Sequence, residues 1–230
     1  MHDTVLIIMS VRNIQPIIDC YNNLNCEKIW FKGFPEYELV THINNFIQNS
    51  NFQYYFIVSD DVYIHYDKFE ELKLQLKLYP IVSAWTVQRQ NSTFTTILNP
   101  NNFDKLIFNK LETGSHPHLP FMASPVCWPN FLQSAYKTHQ IAALPDIIES
   151  AFTGWMFTGM HRKIWIEYPY NVFSETNSNS DLNFSRKILS DKKYKQRIIK
   201  SANAIHISSA IHYNVDFSLA FNNKQIIKTF

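Results

Sequence analysis

Hydrophobic positions in the first part of the chain alternate between two periods. Residues 4–10 (TVLIIMS) form an unbroken apolar, β-rich run, which predicts a strand buried on both faces. Pro16 suits the first turn of a helix ending near Asn25. Residues 28–31 read as a short second strand, closed by Gly33 and Pro35. Leu39, Ile43, Phe46 and Ile47 follow helical spacing, which places a helix over 37–46. A third strand is expected over 52–58 and a helix over 67–78, with Phe69, Leu72 and Leu76 on one side. Pro80 then introduces a strand over 81–87. Strand and helix thus alternate up to residue 87, the signature of a parallel, doubly wound α/β sheet.

Beyond Gln88 the pattern loosens. Residues 89–120 are rich in Asn, Thr and Pro and support no assignment. Residues 121–126 suggest a strand, and apolar density returns over 152–168 around Gly154 and Gly159. A polar loop (FSETNSNS, 173–180) leads to a helix over 181–189, with Leu182, Ser185 and Leu189 on one side. A short strand follows over 202–207, and the last twenty residues read as a mixed tail. Internal repeats and long linkers are absent from the sequence, so 1–230 is expected to form a single domain.

Composition narrows the function classes. With 15% aromatic and 17% charged residues, the chain is globular rather than disordered. A net charge of +2 gives no electrostatic case for nucleic acid, and no nucleic-acid partner is expected. Cys20, Cys26 and Cys127 lack metal-ligand spacing and suggest reduced thiols in a cytoplasmic setting. The opening MHDTVLIIMSVRN does not read as a signal peptide, and no stretch approaches the roughly 20 apolar residues that span a bilayer. Peripheral membrane contact stays open. The four glycines form no phosphate-binding loop, so any bound diphosphate needs another holder.

A holder is suggested where the third strand stops at Ser59-Asp60-Asp61. Ligands of open α/β sheets bind outside the carboxyl ends of strands. Two adjacent carboxylates repel one another unless a cation neutralises them. Mg²⁺ or Mn²⁺ takes oxygen ligands and bridges to phosphates. The plainer alternative is a solvated turn that caps the next helix. On the acidic pair alone the two readings weigh about equally.

Further segments follow in order. AFTGWMFTGMHRKIW spans 151–165, SDLNFSRKIL spans 180–189 and NAIHIS spans 203–208. Together with Ser59-Asp60-Asp61, this series resembles the GT-A fold glycosyltransferases, most closely the family 2 type, over roughly residues 4–210. Ser59-Asp60-Asp61 corresponds to the family's acid-x-acid motif, with Ser in the first place. Gly154 or Gly159, with Arg162, corresponds to its glycine-to-basic segment. Ser180-Asp181 corresponds to its Glu-Asp pair, with Ser for Glu, and His206 to its late histidine.

The resemblance implies a Rossmann-like GT-A sheet, mostly parallel and flanked by helices, with a nucleotide-binding half (1–87), an acceptor and catalytic half (88–210) and a tail (211–230). It implies a metal-dependent, inverting transfer of a sugar from a UDP- or GDP-sugar donor to a hydroxyl acceptor on a glycan, lipid or protein. Asp61 and His206 would hold Mn²⁺ or Mg²⁺, with His212 as the competing histidine. Asp60 would assist at the metal or the ribose. Asp181 would be the general base. Ser10 and Arg12 would meet the base and ribose, and Trp155 would wall the sugar site. Arg162 and Lys163 would meet phosphate or only solvent. Each has a plain alternative: a hydrogen-bonded strand-end histidine, a helix-start aspartate, an ordinary turn, a core tryptophan.

Two other functions fit the same residues. Adjacent Asp at a strand end also serves two-metal nucleotidyl or phosphoryl transferases, although no basic stripe accompanies it here. A GT-A fold with Ser at two acidic positions could instead be a non-catalytic nucleotide-sugar-binding module.

Overall fold

A computed structural model of the chain describes residues 3–88, 92–101, 134–171, 180–207 and 223–229. The expected strand over 121–126, the polar loop over 173–179, Cys127 and His212 lie outside the described residues. Strand β1 (Thr4–Ser10) is buried along its whole length, as its composition requires. Helix α1 (Gln15–Asn22), strand β2 (Glu27–Lys32), helix α2 (Glu36–Asn49), strand β3 (Tyr54–Ser59), helix α3 (Tyr66–Leu78) and strand β5 (Ile81–Trp85) follow the predicted alternation. A two-residue strand β4 (Val62–Tyr63) separates β3 from α3.

The second half adds β6 (Phe94–Leu98), β7 (Ala135–Lys137), β8 (Ile147–Glu149), β9 (Met156–His161), α4 (Arg162–Glu167), α5 (Ser180–Asp191), β10 (Arg197–Asn203), β11 (Ile205–His206) and β12 (Gln225–Thr229). The segment expected as one strand over 202–207 is therefore divided, its first residues closing β10 and its last forming β11. β6 lies in the stretch whose polarity gave no assignment. Its Thr95 and Thr96 are buried and hydrogen-bonded to Tyr136 and Thr86, a pairing only the fold supplies.

Eight strands form one sheet in the order β12-β2-β1-β3-β9-β5-β10-β8. β2, β1, β3, β5 and β10 share one direction, and β12, β9 and β8 run against it. The sheet is mixed. β9 enters antiparallel between β3 and β5, which the alternation of the first half could not reveal. Successive residues of β1 serve opposite faces. Leu6 and Ile8 join α1 and α3 in one core, while Val5, Ile7 and Met9 join α2, α4 and α5 in the other. The result is a mixed α/β architecture with helices on both faces of a central sheet.

β9 fits its place through two local devices. Gly159 faces Phe56, and a Cβ there would lie 2.5 Å from that ring. Phe157 is the extra residue of a bulge opposite Ile57 and Val58, with φ of 57°. A left-handed non-glycine residue costs about 1–3 kcal/mol. Buried edge-on contacts with Tyr21 and Phe69 hold it there. Cys20 and Cys26 are buried free thiols. Among the described residues, no helix is long and apolar enough to cross a membrane.

Candidate functional site

The site forms where β1 and β3 end side by side. The register pairs Met9 with Ser59, so Ser10 and Asp60 leave the sheet together. Asp60 N–H donates to the Met9 carbonyl at 3.1 Å. Ser10 Oγ donates to the Arg12 carbonyl at 3.0 Å and tightens the turn after β1. Two successive amides of that turn, Val11 and Arg12, then point at Asp60 Oδ2 at 2.7 and 2.6 Å. Such paired amides make an anion-binding concavity, and here the chain fills it with its own carboxylate.

Arg12 completes the arrangement. Its Nε donates to Asp60 Oδ1 at 2.8 Å, Nη2 pairs with the same oxygen, and Nη1 lies 3.2 Å from Asp61 Oδ2. The cation that neutralises the adjacent carboxylates is, in the first place, this guanidinium. Asp60 and Arg12 thus anchor one another, and both candidate nucleotide contacts of the first turn, Ser10 and Arg12, have partners within the protein.

Asp61 is held differently. Ser59 Oγ donates to its Oδ1 at 2.5 Å, and His206 Nε2 lies 3.1 Å from its Oδ2. The histidine arrives by a separate route. β11 pairs antiparallel with β4, opposing His206 to Val62, and Ile207 N–H donates to the Asp61 carbonyl at 2.8 Å. Burial pushes the Asp61 carboxyl up, but the hydrogen bond from His206, the charge of Arg12 and the Ser59 hydroxyl outweigh it. Asp61 stays well below the usual carboxylate range. Burial, then the neighbouring Asp61 charge, raises Asp60 against the pull of Arg12. Beneath the pair, Tyr21 is fully buried with its hydroxyl 2.7 and 2.6 Å from the Ser59 and Val62 carbonyls. Burial and the two aspartates push its phenol well up, so it remains a neutral donor.

With Asp61 ionised, Nε2 of His206 donates to it. Nδ1 is buried and has no hydrogen-bond partner among the described residues. A carboxylate that orients an imidazole with one nitrogen left over is a recurrent arrangement around metal ions. Asp61 Oδ2 and His206 Nε2, 3.1 Å apart, are also spaced as two neighbouring ligands of one divalent ion, which would take the place of the hydrogen bond between them. Among the described residues, no group of three or more His, Cys, Asp and Glu side chains converges.

Trp155 reaches the same end of the sheet beside the β9 bulge, and Asp181 comes near it through Tyr170. Ser59 N–H donates to the Trp155 carbonyl at 3.0 Å. The Trp155 ring meets Tyr170 edge-on with centroids 6.2 Å apart. Tyr170 is buried, and burial followed by the charge of Asp181 raises its phenol well above the ordinary value. Asp181 lies in the first turn of α5, where its Oδ1 accepts the Leu182 N–H at 2.7 Å. Burial first, and then the charge of Glu36, push its carboxyl up to about 7. A carboxylate that titrates there can take a proton near neutral pH.

Arg162 lies elsewhere. β9 runs against β3, so its end is level with Tyr54, at the other end of β3 from Ser59. The Arg162 guanidinium donates to the Gln48 carbonyl at 2.9 Å, near the C-terminus of α2. Five residue steps along β3 separate the two ends, about 17 Å of strand. The expectation that Arg162 meets phosphate is therefore replaced by a helix-capping role. Of the two glycines that could correspond, Gly159 makes room for Phe56, and a Cβ on Gly154 would meet Met156 at 2.9 Å.

Sequence reasoning missed Glu36, Tyr170 and Tyr21. Glu36 reads in the sequence as an ordinary acidic residue in a first helical turn. Its partner, Ser180, is 144 residues away, and no local signal links them.

No family model matches the sequence, and no curated protein matches it. Among solved structures, the chain is similar to the crystal structure of A197 from STIV, with a TM-score of 0.55 and 12% sequence identity, over 89% of this chain and 85% of that one. At that identity the likeness speaks for the fold alone: a large mixed sheet with helices on both faces.

Proposed function

We propose that the protein is a GT-A-type glycosyltransferase that moves a sugar from a nucleotide-sugar donor to a hydroxyl acceptor with a divalent metal ion. The carrying observation is the convergence of Asp61 and His206, at 3.1 Å, beyond the carboxyl end of β3. Asp61 and His206 would hold Mn²⁺ or Mg²⁺, and diphosphate oxygens would complete its coordination. The ion would supply charge neutralisation at the leaving diphosphate. Asp181, held near neutrality, would take the proton of the acceptor hydroxyl, which accords with inversion. Trp155 links the two centres, with its backbone at Ser59 and its ring against Tyr170.

Calorimetric titration of UDP and GDP, with and without Mn²⁺, tests this on wild type, Asp61→Asn and His206→Ala. Binding that requires the ion and weakens at least about tenfold in both variants, or about 1.4 kcal/mol, supports the reading. Absence of nucleotide binding under every condition overturns it.

One observation favours a second reading. Arg12 already bridges Asp60 and Asp61. A nucleotide-sugar-binding module that needs no metal would bind UDP or GDP equally with and without Mn²⁺. The two-metal nucleotidyl transferase gains less support, because Asp60 is engaged by the Val11 and Arg12 amides and by the Arg12 guanidinium.

A further inference from the structure

A second carboxylate stands behind the candidate base. Glu36 opens α2, is partly buried, and turns toward the start of α5 rather than toward solvent. Its Oε1 accepts the Ser180 N–H at 2.9 Å and the Ser180 Oγ–H at 2.8 Å. Ser180 is the first residue of α5 and fully buried, and its amide is among those that have no acceptor inside the helix. A carboxylate on that amide also complements the positive end of the helix. One side chain thus fixes where α5 begins, and Asp181 is the next residue.

The cost of this arrangement falls on Asp181. Among the described residues, three titratable side chains meet there: Asp181 itself, Glu36 from α2 and Tyr170, which precedes α5. Tyr170 is a neutral phenol, so Glu36 is the one charge among them that opposes ionisation of Asp181. A neutral acceptor would cap Ser180 equally well. A glutamine Oε1 makes the same two hydrogen bonds without the charge.

We propose that Glu36 is the positioning residue of the general base: its carboxylate fixes the α5 N-terminus at Ser180 and so sets a charge beside Asp181, the next residue. The assignment of Asp181 as base rests on the transferase reading, whereas the coupling of the two carboxyls does not. Linkage requires the coupling to be reciprocal.

Carbon-detected NMR titration of the Asp181 and Glu36 carboxyls tests the idea without a substrate. In wild type the Asp181 midpoint is expected near 7. In Glu36→Gln it is expected to fall by about one pH unit or more, with the α5 amide signals unchanged. In Ser180→Ala the charge stays, and the Asp181 midpoint is expected to remain above 6. Should Glu36→Gln fold poorly, Glu36→Ala removes the same charge, and the Asp181 midpoint is expected to fall there too. An unchanged Asp181 midpoint in folded Glu36→Gln or Glu36→Ala overturns the proposal and leaves Glu36 a helix cap only. If the midpoints move but no transfer from UDP- or GDP-sugars is found, the coupling stands and the transferase reading falls. Where transfer is found, the acidic limb of its pH profile is expected to move with the Asp181 midpoint in Glu36→Gln while acceptor KM stays unchanged.

Discussion

Arg12 is the residue on which the carboxylate turn depends. Its guanidinium is nearly buried and touches two carboxylates that are themselves buried. Removing one partner of such a group leaves uncompensated charge, which costs about 3–5 kcal/mol. Arg12→Ala is therefore expected to lower the unfolding free energy by that amount in denaturant titrations. Arg12→Lys keeps a charge but loses the fork that reaches Asp60 and Asp61 together, so it should recover only part of the loss. Asp181 makes a prediction of opposite sign. Its folded midpoint, about 7, lies above the unfolded value of about 3.9. The folded protein then holds the proton more tightly, so this group favours folding fully below about pH 4. That contribution is lost as pH rises through 7. A difference of one pH unit between the folded and unfolded midpoints corresponds to about 1.4 kcal/mol, to be discounted for partial exposure of the side chain. Asp181→Asn should flatten the fall in stability between pH 4 and 7, and at pH 8 should be more stable than wild type by about 1–3 kcal/mol. Melting curves of both proteins across that range decide the matter.

At the scale of elements, β9 does most to shape the site. Its bulge at Phe157 turns the Trp155 carbonyl toward Ser59, and its Gly159 lets β9 lie against Phe56. Gly159→Ala would place a methyl group 2.5 Å from the buried Phe56 ring, with packed side chains around it. Overpacking of this kind costs about 1–3 kcal/mol. The melting temperature is expected to fall, and because β9 directly follows Trp155, nucleotide affinity should fall with it. The β4–β11 ribbon has a narrower task, which is to set His206 on Asp61. Strand existence was readable for β1, β2, β3 and β5, because each is an apolar run bounded by turn residues. β6 was not, because its buried threonines look polar and are satisfied only by distant partners.

For the molecule as a whole, edge protection and site are separate. β12 pairs with β2 from Lys28 to Lys32 and covers that margin of the sheet. An uncovered edge presents unpaired amides and carbonyls to other chains. Deletion of 225–229 uncovers β2 and should promote self-association at high concentration, visible as earlier elution in size-exclusion chromatography. Nucleotide affinity should be unchanged, because the carboxylates emerge from β3, beyond β1 and β2 in the sheet.

The sequence by itself determined the alternating first half, the burial of β1 and β3, and the end of β3 at Asp60-Asp61. Those features are local: hydrophobic period, turn residues and an abrupt change to charge. It also pointed to Asp181 and His206, though only as members of an ordered series. Tertiary structure alone decided that β9 lies between β3 and β5, that His206 meets Asp61 through a two-residue ribbon, and that Arg162 sits at the far end of the sheet. It also decided that Arg12 is the cation between the carboxylates and that Glu36 stands behind Asp181. Each of these joins side chains between 48 and 145 residues apart. Charge compensation acts through space, and no periodicity along the chain records it.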